Sequence, residues 1–404
     1  MSEVAHTPQL RFPEFSDNWE EKKLGNVTSI VMGQSPDSTS YNSNGIGLYL
    51  IQGNADIKKR KTLPRVWTDT PTKECKVGDI IMTVRAPVGA VAKSIHNACI
   101  GRGVCAIRNN QHSVSNYIYQ FLLSFEKKWV KFEQGSTFTA VNTKDVKSLK
   151  LILPPVQEQQ KIAAFLTAVD SKIEQLSKKK ALLGEYKKGL MQQIFSQEIR
   201  FKADDGSDFP DWEEKKLGNI SNVSKLAGYE FTKYIKYQDT GSIIALRGLN
   251  IKKNKLDLSV VKFIDNSDFS RLNRSKLFID DLMFTYIGTI GEVALIDEDD
   301  KYYLAPNVSR IRFNNEVCLP RFAIQYFNRE VFKQGEIKKY VSSSSQPALT
   351  MGNVRLFILN LPTKPEQQKI ANFLSSIDSK IEQVGEQLDK SKQFKKALLQ
   401  KMFV

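Results

Sequence analysis

The most regular apolar pattern in the chain covers residues 157–195, a segment without proline. Apolar side chains recur there every seven residues, and a second row lies between them. A heptad pattern of this length is typical of a coiled-coil helix. As one continuous helix, the segment would be about 58 Å long at roughly 1.5 Å per residue. The first row is Ile162, Val169, Leu176, Leu183 and Leu190, and the second contains Leu166, Ile173 and Ile194.

The end of the chain repeats this pattern over residues 365–403. Thr363 and Glu366 have the spacing of a helix capping box, and Pro365 falls in the first turn. Both seams are interrupted by polar residues, which we expect to weaken them near their C-terminal ends. The interruptions are Lys180, Lys187, Ser391 and Lys395, and the second seam contains Ile370, Leu374, Ile377, Ile381, Val384, Leu388, Leu398 and Met402.

Two arrangements are compatible with these seams. Each helix could pack on its own globular domain as an ordinary amphipathic helix. Because the two seams match, we favour a pairing of one helix with the other. An antiparallel pair would place a globular domain at each end of a rod, which is the self-complementary solution.

The regions between the helices alternate short apolar runs with Gly, Pro and Asp, a pattern typical of short strands. Residues 114–132 and 320–333 instead have the spacing of helices. The predicted fold class is α+β, with two mixed α/β domains separated by two long helices that form an antiparallel coiled coil. The predicted strands are 80–84, 90–92 and 149–153, then 282–287, 293–296, 310–313 and 356–361.

The chain is an internal duplication. Residues 19–26 recur letter for letter as 212–219, and the segments 158–163 and 170–175 recur as 366–371 and 378–383. The interiors of the two copies have diverged. We interpret the repeated segments as a frame with a function common to both halves, and the interiors as parts with different functions. Neutral drift around a frame that folding preserves is the alternative. The predicted organisation is a domain at 1–156, a helix at 157–196, a second domain at 197–363 and a second helix at 364–404.

The charge balance points to a polyanionic partner. The formal net charge is +15, with 59 Lys and Arg against 44 Asp and Glu. Nucleic acid, an acidic membrane surface and an acidic protein would all fit this surplus. The four cysteines contain no CxxC pair, and we find no signal peptide and no transmembrane segment, so we expect a cytoplasmic protein without a membrane partner.

Catalytic motifs are missing from the sequence. An adenine methyltransferase needs an Asn/Asp-Pro-Pro-aromatic motif, but the Pro154-Pro155 pair follows Leu and precedes Val. No phosphate-binding loop of the GxxxxGK[ST] type is present. Asp211, Glu213 and Lys215 could in principle hold Mg²⁺, as could the equivalents around Asp17, but a solvated turn explains them better. We therefore expect no catalytic residues, no metal site and no enzyme activity in this chain.

If the polyanionic partner is DNA, its candidate contacts come from basic and amide-rich loops. Arg and Gln can read guanine and adenine edges, whereas Lys mainly neutralises phosphate. An ordinary solvated surface is the alternative for each residue. The candidates in the first copy are Lys58, Lys59, Arg60, Lys61, Arg85, Arg102 and Lys144, and those in the second are Arg247, Lys252, Lys253, Arg271, Arg274 and Gln346.

The frame resembles a known family. Pro154-Pro155-x-x-Glu158-Gln159-x-x-Ile162-Ala163 and its repeat from Pro362 to Ala371 are similar to the signature of Type I restriction-modification specificity subunits. The Trp-x-x-x-x-Leu-Gly openings at Trp19 and Trp212 match as well, as does the loop at residues 135–137. The second copy reads Ser342 to Gln346 at that loop and departs from the first. The resemblance covers essentially the whole chain.

This resemblance implies two target-recognition domains, each reading one half of a bipartite double-stranded DNA site. The helices would set the spacer and dock two methyltransferase subunits, through the seam residues listed above. Those partners would bind S-adenosylmethionine and methylate adenine. Two restriction/translocase subunits, which use ATP and Mg²⁺, would complete the assembly, and this chain would bind no cofactor.

Two other classes of function stay open from the residues alone. A self-contained nuclease or methyltransferase would require motifs that the sequence lacks. A scaffold would use its basic surfaces on acidic proteins, and its binding to DNA would lack the steep salt dependence that phosphate contacts produce.

Overall fold

The computed structural model describes residues 7–133, 141–252, 254–341 and 347–403. The chain forms two compact units. Unit 1 is Met1–Lys179 with Val384–Val404, and unit 2 is Lys180–Gln383. No helix in the described part of the chain has the length and apolar character needed to cross a membrane.

Unit 1 is a mixed α+β structure whose strands are short. Its helices are α1 (Leu24–Val27), α2 (Ser115–Glu133), α3 (Thr143–Ser148) and the first part of α4 (Val156–Phe195). Its strands are β1 (Glu20–Lys23), β2 (Thr28–Met32), β3 (Tyr41–Asn42), β4 (Leu48–Ile51), β5 (Ile57–Lys58), β6 (Lys61–Thr62), β7 (Val66–Thr68), β8 (Glu74–Cys75), β9 (Ile80–Thr83), β10 (Val91–Lys93), β11 (Ala98–Ile100), β12 (Val104–Asn109) and β13 (Lys150–Leu153).

Three sheets organise unit 1. A six-stranded sheet has the order β2-β12-β9-β10-β6-β5, and a five-stranded sheet has the order β3-β7-β4-β11-β8. β1 pairs antiparallel with β13, which joins the opening of the copy to the strand that precedes α4. Apolar side chains of the six-stranded sheet, α2 and the start of α4 share one core, and a smaller core lies against the five-stranded sheet.

Unit 2 has the same order of elements with fewer strands. Its helices are the second part of α4, α5 (Leu217–Ile220), α6 (Gly228–Tyr234), α7 (Pro320–Phe327), α8 (Glu330–Phe332), α9 (Met351–Arg355) and the first part of α10 (Lys364–Lys401). Its strands are β14 (Glu213–Lys216), β15 (Ser221–Lys225), β16 (Ile244–Leu246), β17 (Ile251–Lys252), β18 (Lys255–Leu256), β19 (Leu282–Thr285), β20 (Val293–Leu295), β21 (Tyr302–Leu304), β22 (Val308–Phe313) and β23 (Ile358–Leu361).

The sheets of unit 2 match part of the pattern in unit 1. The order β15-β22-β19-β20 corresponds to β2-β12-β9-β10, and β14 pairs with β23 as β1 pairs with β13. The parallel pair β16-β21 takes the place of β4-β11. Isolated bridges at Phe263 and at Lys276 lie where unit 1 has the flanking strands β7 and β8. The α+β fold class and the internal repeat are therefore confirmed.

The long helices pair antiparallel within each unit. In unit 1, Ile162 and Leu166 from the beginning of α4 share a core with Leu398 near the end of α10 and with Met402 just after it. In unit 2, the end of α4 and the beginning of α10 share a core in the same way. These cores also contain domain residues such as Trp19 and Tyr117. Both arrangements considered above therefore occur together. The apolar residues of each long helix pack against the other helix and also against the domain of the same unit.

Two local predictions were wrong. The helix predicted over 320–333 ends at Phe327 and resumes at Glu330, because Asn328 caps the first segment. The capping box at Thr363 does not form: in the described residues no partner reaches the buried Thr363 hydroxyl. Glu366 binds Arg200 and Trp212 instead, since a guanidinium is a stronger partner for a buried carboxylate than a backbone amide.

A buried carboxylate at the start of each long helix ties the repeated motifs together. Glu158 accepts hydrogen bonds at 2.8 Å from Nε and Nη2 of Arg11 and at 3.1 Å from Nε1 of Trp19. The same bonds connect Glu366 with Arg200 and Trp212. The hydrogen bond that Arg11 donates to Glu158 raises the pKa of Arg11. The Trp and Glu-Gln motifs are therefore parts of one junction.

The neighbouring glutamine completes this junction. Oε1 of Gln159 accepts a hydrogen bond from the Val114 amide at 2.9 Å, and its Nε2 donates to the Pro154 carbonyl. Gln367 makes the equivalent bonds with Leu319 and Pro362. The Glu-Gln pair thereby anchors the start of α4 to the beginning of α2, and the start of α10 to the beginning of α7.

We expect Glu158→Gln to lower the free energy of unfolding by about 3–5 kcal/mol, because it leaves the Arg11 guanidinium partly buried without its counter-charge. Urea unfolding followed by circular dichroism measures this. Glu20→Gln is the matched control, since Glu20 pairs with Lys22 on the surface; its effect should stay within about 0.5 kcal/mol. Equal losses in the two variants would show that the junction carries no special stability.

Candidate nucleic-acid interface

The basic cluster of unit 1 lies on the β5–β6 hairpin. Lys59 and Arg60 form its turn with φ values of 50° and 63°. Nη2 of Arg60 donates to Glu126 Oε2 at 2.8 Å, Nη1 also binds Glu126, and Nη1 donates to the Val91 carbonyl at 3.1 Å. The hydrogen bonds that Arg60 donates to Glu126 raise the pKa of Arg60. Arg60 therefore holds the hairpin on the domain and is poorly placed to bind DNA.

A second cation of this hairpin contacts the long helix. Lys61 Nζ lies 2.9 Å from Glu174 Oε1 on α4. In unit 2, the β17–β18 hairpin makes the equivalent contact, because Lys255 binds Glu382 on α10. Lys252 of that hairpin pairs with Asp257 at 2.8 Å, and Lys253 lies outside the described residues. Carboxylates thus neutralise part of the cluster that the sequence predicted to bind phosphates.

Arg85 stands in a different environment. It lies on the exposed turn between β9 and β10, which is closed by hydrogen bonds of the Thr83 hydroxyl with the Pro87 carbonyl and the Ala90 amide. The left-handed φ of 84° at Gly89 favours glycine, and a Cβ there would meet Trp129 at 2.3 Å. The Arg85 side chain itself is exposed.

The remaining candidates of unit 1 are also on the surface. Arg102 follows β11, and its backbone amide bonds the Ser35 hydroxyl at 3.2 Å. Lys144 is in the first turn of α3, whose capping box is formed by Asn142 and Asp145. Lys58 is exposed at the end of β5. The role of these cations and of Arg85 as DNA contacts stays a prediction.

Unit 2 presents Arg271 and Arg274 on exposed 3₁₀ turns, Phe269–Arg271 and Asn273–Ser275. Arg247 is half-buried and donates to the Val260 carbonyl at 3.1 Å, which makes it a structural residue in part. Gln346 lies outside the described residues. Arg271 and Arg274 are therefore the best placed of the second set.

The sequence did not single out Arg310, which lies directly beneath these turns. It is 7% exposed and donates to the Arg274 and Lys276 carbonyls and to Asn222 Oδ1. Burial lowers its pKa. The equivalent β12 position in unit 1 is Ala106, which pairs with Val31 as Arg310 pairs with Ser224. The two interiors therefore differ in chemistry at matching backbone positions.

The acidic cluster considered as a metal site has another explanation. Glu213 pairs with Lys215 at 2.5 Å, and Glu20 pairs with Lys22 at the same distance. Asp211 is fully exposed and 3.7 Å from Arg200. Among the described residues, no group of three or more His, Cys, Asp and Glu side chains could hold a metal ion.

The predicted seam residues of the helices are all on the inward-facing side. Leu176 and Val384 are each 5% exposed, and the others range from fully buried to half-buried. Their role in docking a partner stays a prediction. The buried members are Ile162, Leu166, Leu176, Ile370, Leu374, Ile377 and Val384, and the half-buried members are Val169, Ile173 and Ile381.

Sequence analysis also missed the arginines of the junction. Arg11 and Arg200 each precede a phenylalanine upstream of the repeated Trp motif, and this Arg-Phe pair occurs in both copies. The spacing to Trp differs between the copies, so an alignment without gaps does not reveal it.

The fold and the repeated junctions define a tandem recognition protein, in which two units share a frame and differ in their interiors. The family model described as Type I restriction modification DNA specificity domain matches residues 16–184 and 210–390. The chain therefore belongs to this family, and the resemblance seen in the sequence is confirmed.

Relatives and a solved structure agree with this assignment. The MjaVIII type I restriction enzyme specificity subunit of Methanocaldococcus jannaschii is 23% identical over 95% of this chain and 91% of its own length. The MjaX specificity subunit of the same organism is 38% identical, but that match spans 47% of this chain and 45% of the relative. A crystal structure of the Type-I restriction-modification system S subunit from M. genitalium has a TM-score of 0.64 at 16% identity, covering 98% of this chain and 99% of that one.

We expect Arg60→Ala and Arg85→Ala to separate stability from DNA affinity. Arg60→Ala should lower the free energy of unfolding by about 1 kcal/mol and leave the salt dependence of DNA binding unchanged. Arg85→Ala should leave stability unchanged and reduce the slope of log K against log salt by about 0.9, the value of one phosphate contact. Fluorescence anisotropy with duplex DNA over a salt series measures the slope. The reverse pattern would place the interface on the β5–β6 hairpin.

Proposed function

We propose that this chain selects the DNA site for a Type I restriction-modification complex, with each unit reading one half of a bipartite double-stranded site. Membership of the specificity family supports this proposal. The surplus of cations supports it as well, since phosphate contacts supply much of the affinity of any DNA reader.

The observation that carries the proposal is the contrast between a repeated frame and altered interiors. The Trp-Glu-Arg junction occurs in both units, as do the Asp79–Arg108 and Asp281–Arg312 pairs. The five-stranded sheet of unit 1, however, is reduced in unit 2 to the parallel pair β16-β21 with isolated bridges at Phe263 and Lys276. A protein that reads two different half-sites needs this combination, because a common frame can hold two different reading surfaces.

Single positions show the same contrast. The Thr285 hydroxyl bonds the Thr289 carbonyl and the Glu292 amide, as Thr83 does in unit 1. The position that corresponds to Arg85 is thereby occupied by Ile287. A guanidinium can read guanine, whereas an aliphatic side chain can only contact a thymine methyl or exclude water. We infer that the two units prefer different bases at this point.

Chemistry in this proposal belongs to the partners. Two methyltransferase subunits would bind S-adenosylmethionine and methylate adenine, and two restriction/translocase subunits would use ATP and Mg²⁺. The lack of an adenine methyltransferase motif and of a phosphate-binding loop in this sequence supports the division.

We expect that replacing residues 24–150 with the same region of a relative changes one half of the methylated motif and preserves the other. The reason is that the repeated frame segments at 19–26, 158–163 and 170–175 lie at or beyond the ends of this segment, whereas the altered interior lies within it. Sequencing of methylated adenines in cells that express the hybrid with its methyltransferase subunits tests this. The purified chain with S-adenosylmethionine alone is the control and should methylate nothing. Simultaneous change of both half-sites would refute modular reading.

We further propose that the long helices set the number of unread base pairs between the half-sites. α4 has 40 residues and α10 has 38, each in one continuous helix. These lengths correspond to roughly 57–60 Å at about 1.5 Å per residue. Half-sites one duplex turn apart have centres separated by about 34 Å, which such helices can bridge.

We expect four residues inserted after Leu176, together with four after Val384, to lengthen the spacer by one or two base pairs. Each insertion adds about 6 Å of helix, and a base pair adds about 3.4 Å. Four residues are just over one helical turn, so the seam is nearly restored. Two-residue insertions at the same points are the control, since they turn the seam outward and should prevent assembly. An unchanged spacer in the four-residue variant would exclude the helices as the ruler.

A further inference from the structure

Each of the seam interruptions Lys187 and Lys395 has a carboxylate partner on the other helix. In unit 1, Lys395 Nζ on α10 lies 2.5 Å from Asp170 Oδ1 on α4. In unit 2, Lys187 Nζ on α4 lies 2.7 Å from both carboxylate oxygens of Asp378 on α10. The lysine side chains are only 15% and 10% exposed. Ion pairs therefore connect the two helices at these points. The sequence analysis expected these polar residues only to weaken the seam and did not foresee their partners.

A glutamine from the domain helix joins each ion pair. Nε2 of Gln120 on α2 donates to Asp170 Oδ2 at 2.7 Å. Nε2 of Gln325 on α7 donates to Asp378 Oδ2 at 3.0 Å, and its Oε1 accepts from Lys187 at 2.9 Å. Gln120 and Gln325 are 1% and 4% exposed. Each aspartate thus connects three elements: its own helix, the opposite helix and the domain.

A second contact holds the domain on the same face of the helix. Glu174, one turn after Asp170, binds Lys61 of the hairpin. Glu382, one turn after Asp378, binds Lys255. Residues four apart lie on one face of a helix. The domain in each unit therefore contacts its long helix at two consecutive turns, and rotation of the helix would break both contacts.

The spacing of these charges fits one register. Asp170 and Lys187 are 17 residues apart on α4, and Asp378 and Lys395 are 17 residues apart on α10. A single antiparallel register therefore satisfies both ion pairs. A slip of one heptad would place Asp170 opposite Leu388 or Met402 and would leave Lys395, whose side chain is 15% exposed, without its counter-charge. Such a loss is strongly unfavourable, and a polar seam residue is known to select register at some cost in stability.

We propose that Asp170 and Asp378 are positioning residues that couple the register of the helices to the orientation of each recognition domain. Their function is to restrict the complex to one spacer length. This inference rests on the proposed function. The lysine of each pair is largely buried, whereas the side chains of Asp170 and Asp378 are 34% and 42% exposed. Ion pairs that are withdrawn from water in this way can often be replaced by apolar residues without loss of stability, so a role in specificity explains their presence at both positions better than a role in stability.

The test replaces both triads by leucine: Gln120, Asp170 and Lys395 in unit 1, and Gln325, Asp378 and Lys187 in unit 2. The variant is reconstituted with its methyltransferase subunits and assayed on duplexes whose spacer is the cognate length or one base pair shorter or longer. We expect the thermal midpoint to be retained or raised. We expect discrimination between the spacers to fall by at least about tenfold. Unchanged discrimination would overturn the proposal, since a merely structural role would affect the midpoint alone.

A conservative variant tests the same proposal if the leucine variant does not assemble with the methyltransferase subunits. Asp170→Asn with Asp378→Asn keeps the shape and removes the charge, and it should also widen spacer tolerance; unchanged discrimination here overturns the proposal as well. Asp389→Leu with Lys392→Leu is the matched control, because this exposed pair lies within α10 alone. It should leave discrimination unchanged, and a loss as large as that of the leucine variant would also overturn the proposal.

The wild-type complex separates failure of this inference from failure of the proposed function. If it methylates none of the duplexes, or methylates them without regard to half-sites, the proposed function is wrong. If it is selective and both triad variants are equally selective, the proposed function stands and the positioning role is wrong.

Discussion

Each half of this chain is built around one buried carboxylate, which needs a partner of opposite charge because water cannot reach it. Glu158 and Glu366 are inaccessible to solvent, and an unpaired charge in such a place would be strongly destabilising. Each accepts hydrogen bonds from one arginine and one tryptophan, which lie in the opening segment of the same sequence copy. The opening segment, the domain and the long helix meet at this point. The repeated motifs are kept together because they are parts of one hydrogen-bonded junction.

Pairing of charges within each unit also determines which surface cations are available to a partner. A net charge of +15 suggests a broad basic face, but many of its cations are already paired. Arg60, Lys61, Lys252 and Lys255 bind carboxylates of their own unit. Arg85, Arg271 and Arg274 lie on exposed turns at the variable interior. In the proposed function, the cations expected to contact DNA therefore include those on the parts that differ between the units.

Much of the candidate interface could be proposed from sequence, but its division into structural and free cations could not. The run Lys58 to Lys61 has the composition of a phosphate-binding loop, and nothing within it reveals that Glu126 and Glu174 will lie alongside. Lys187 and Lys395 were recognised as interruptions of a seam. Their partners, Asp170 and Asp378, were recognised only as members of a repeated segment. The connection required the antiparallel register of the two helices.

The sequence by itself determined the duplication, the two long helices, the α+β class and the family, because these depend on periodicity and on short motifs that lie close together in the chain. Only the tertiary structure decided which charges neutralise one another. Arg11 and Glu158 are 147 residues apart, and Asp170 and Lys395 are 225 apart. No local pattern encodes such pairs, because the free energy of a buried ion pair depends on the position and solvent exposure of both groups after the chain has folded.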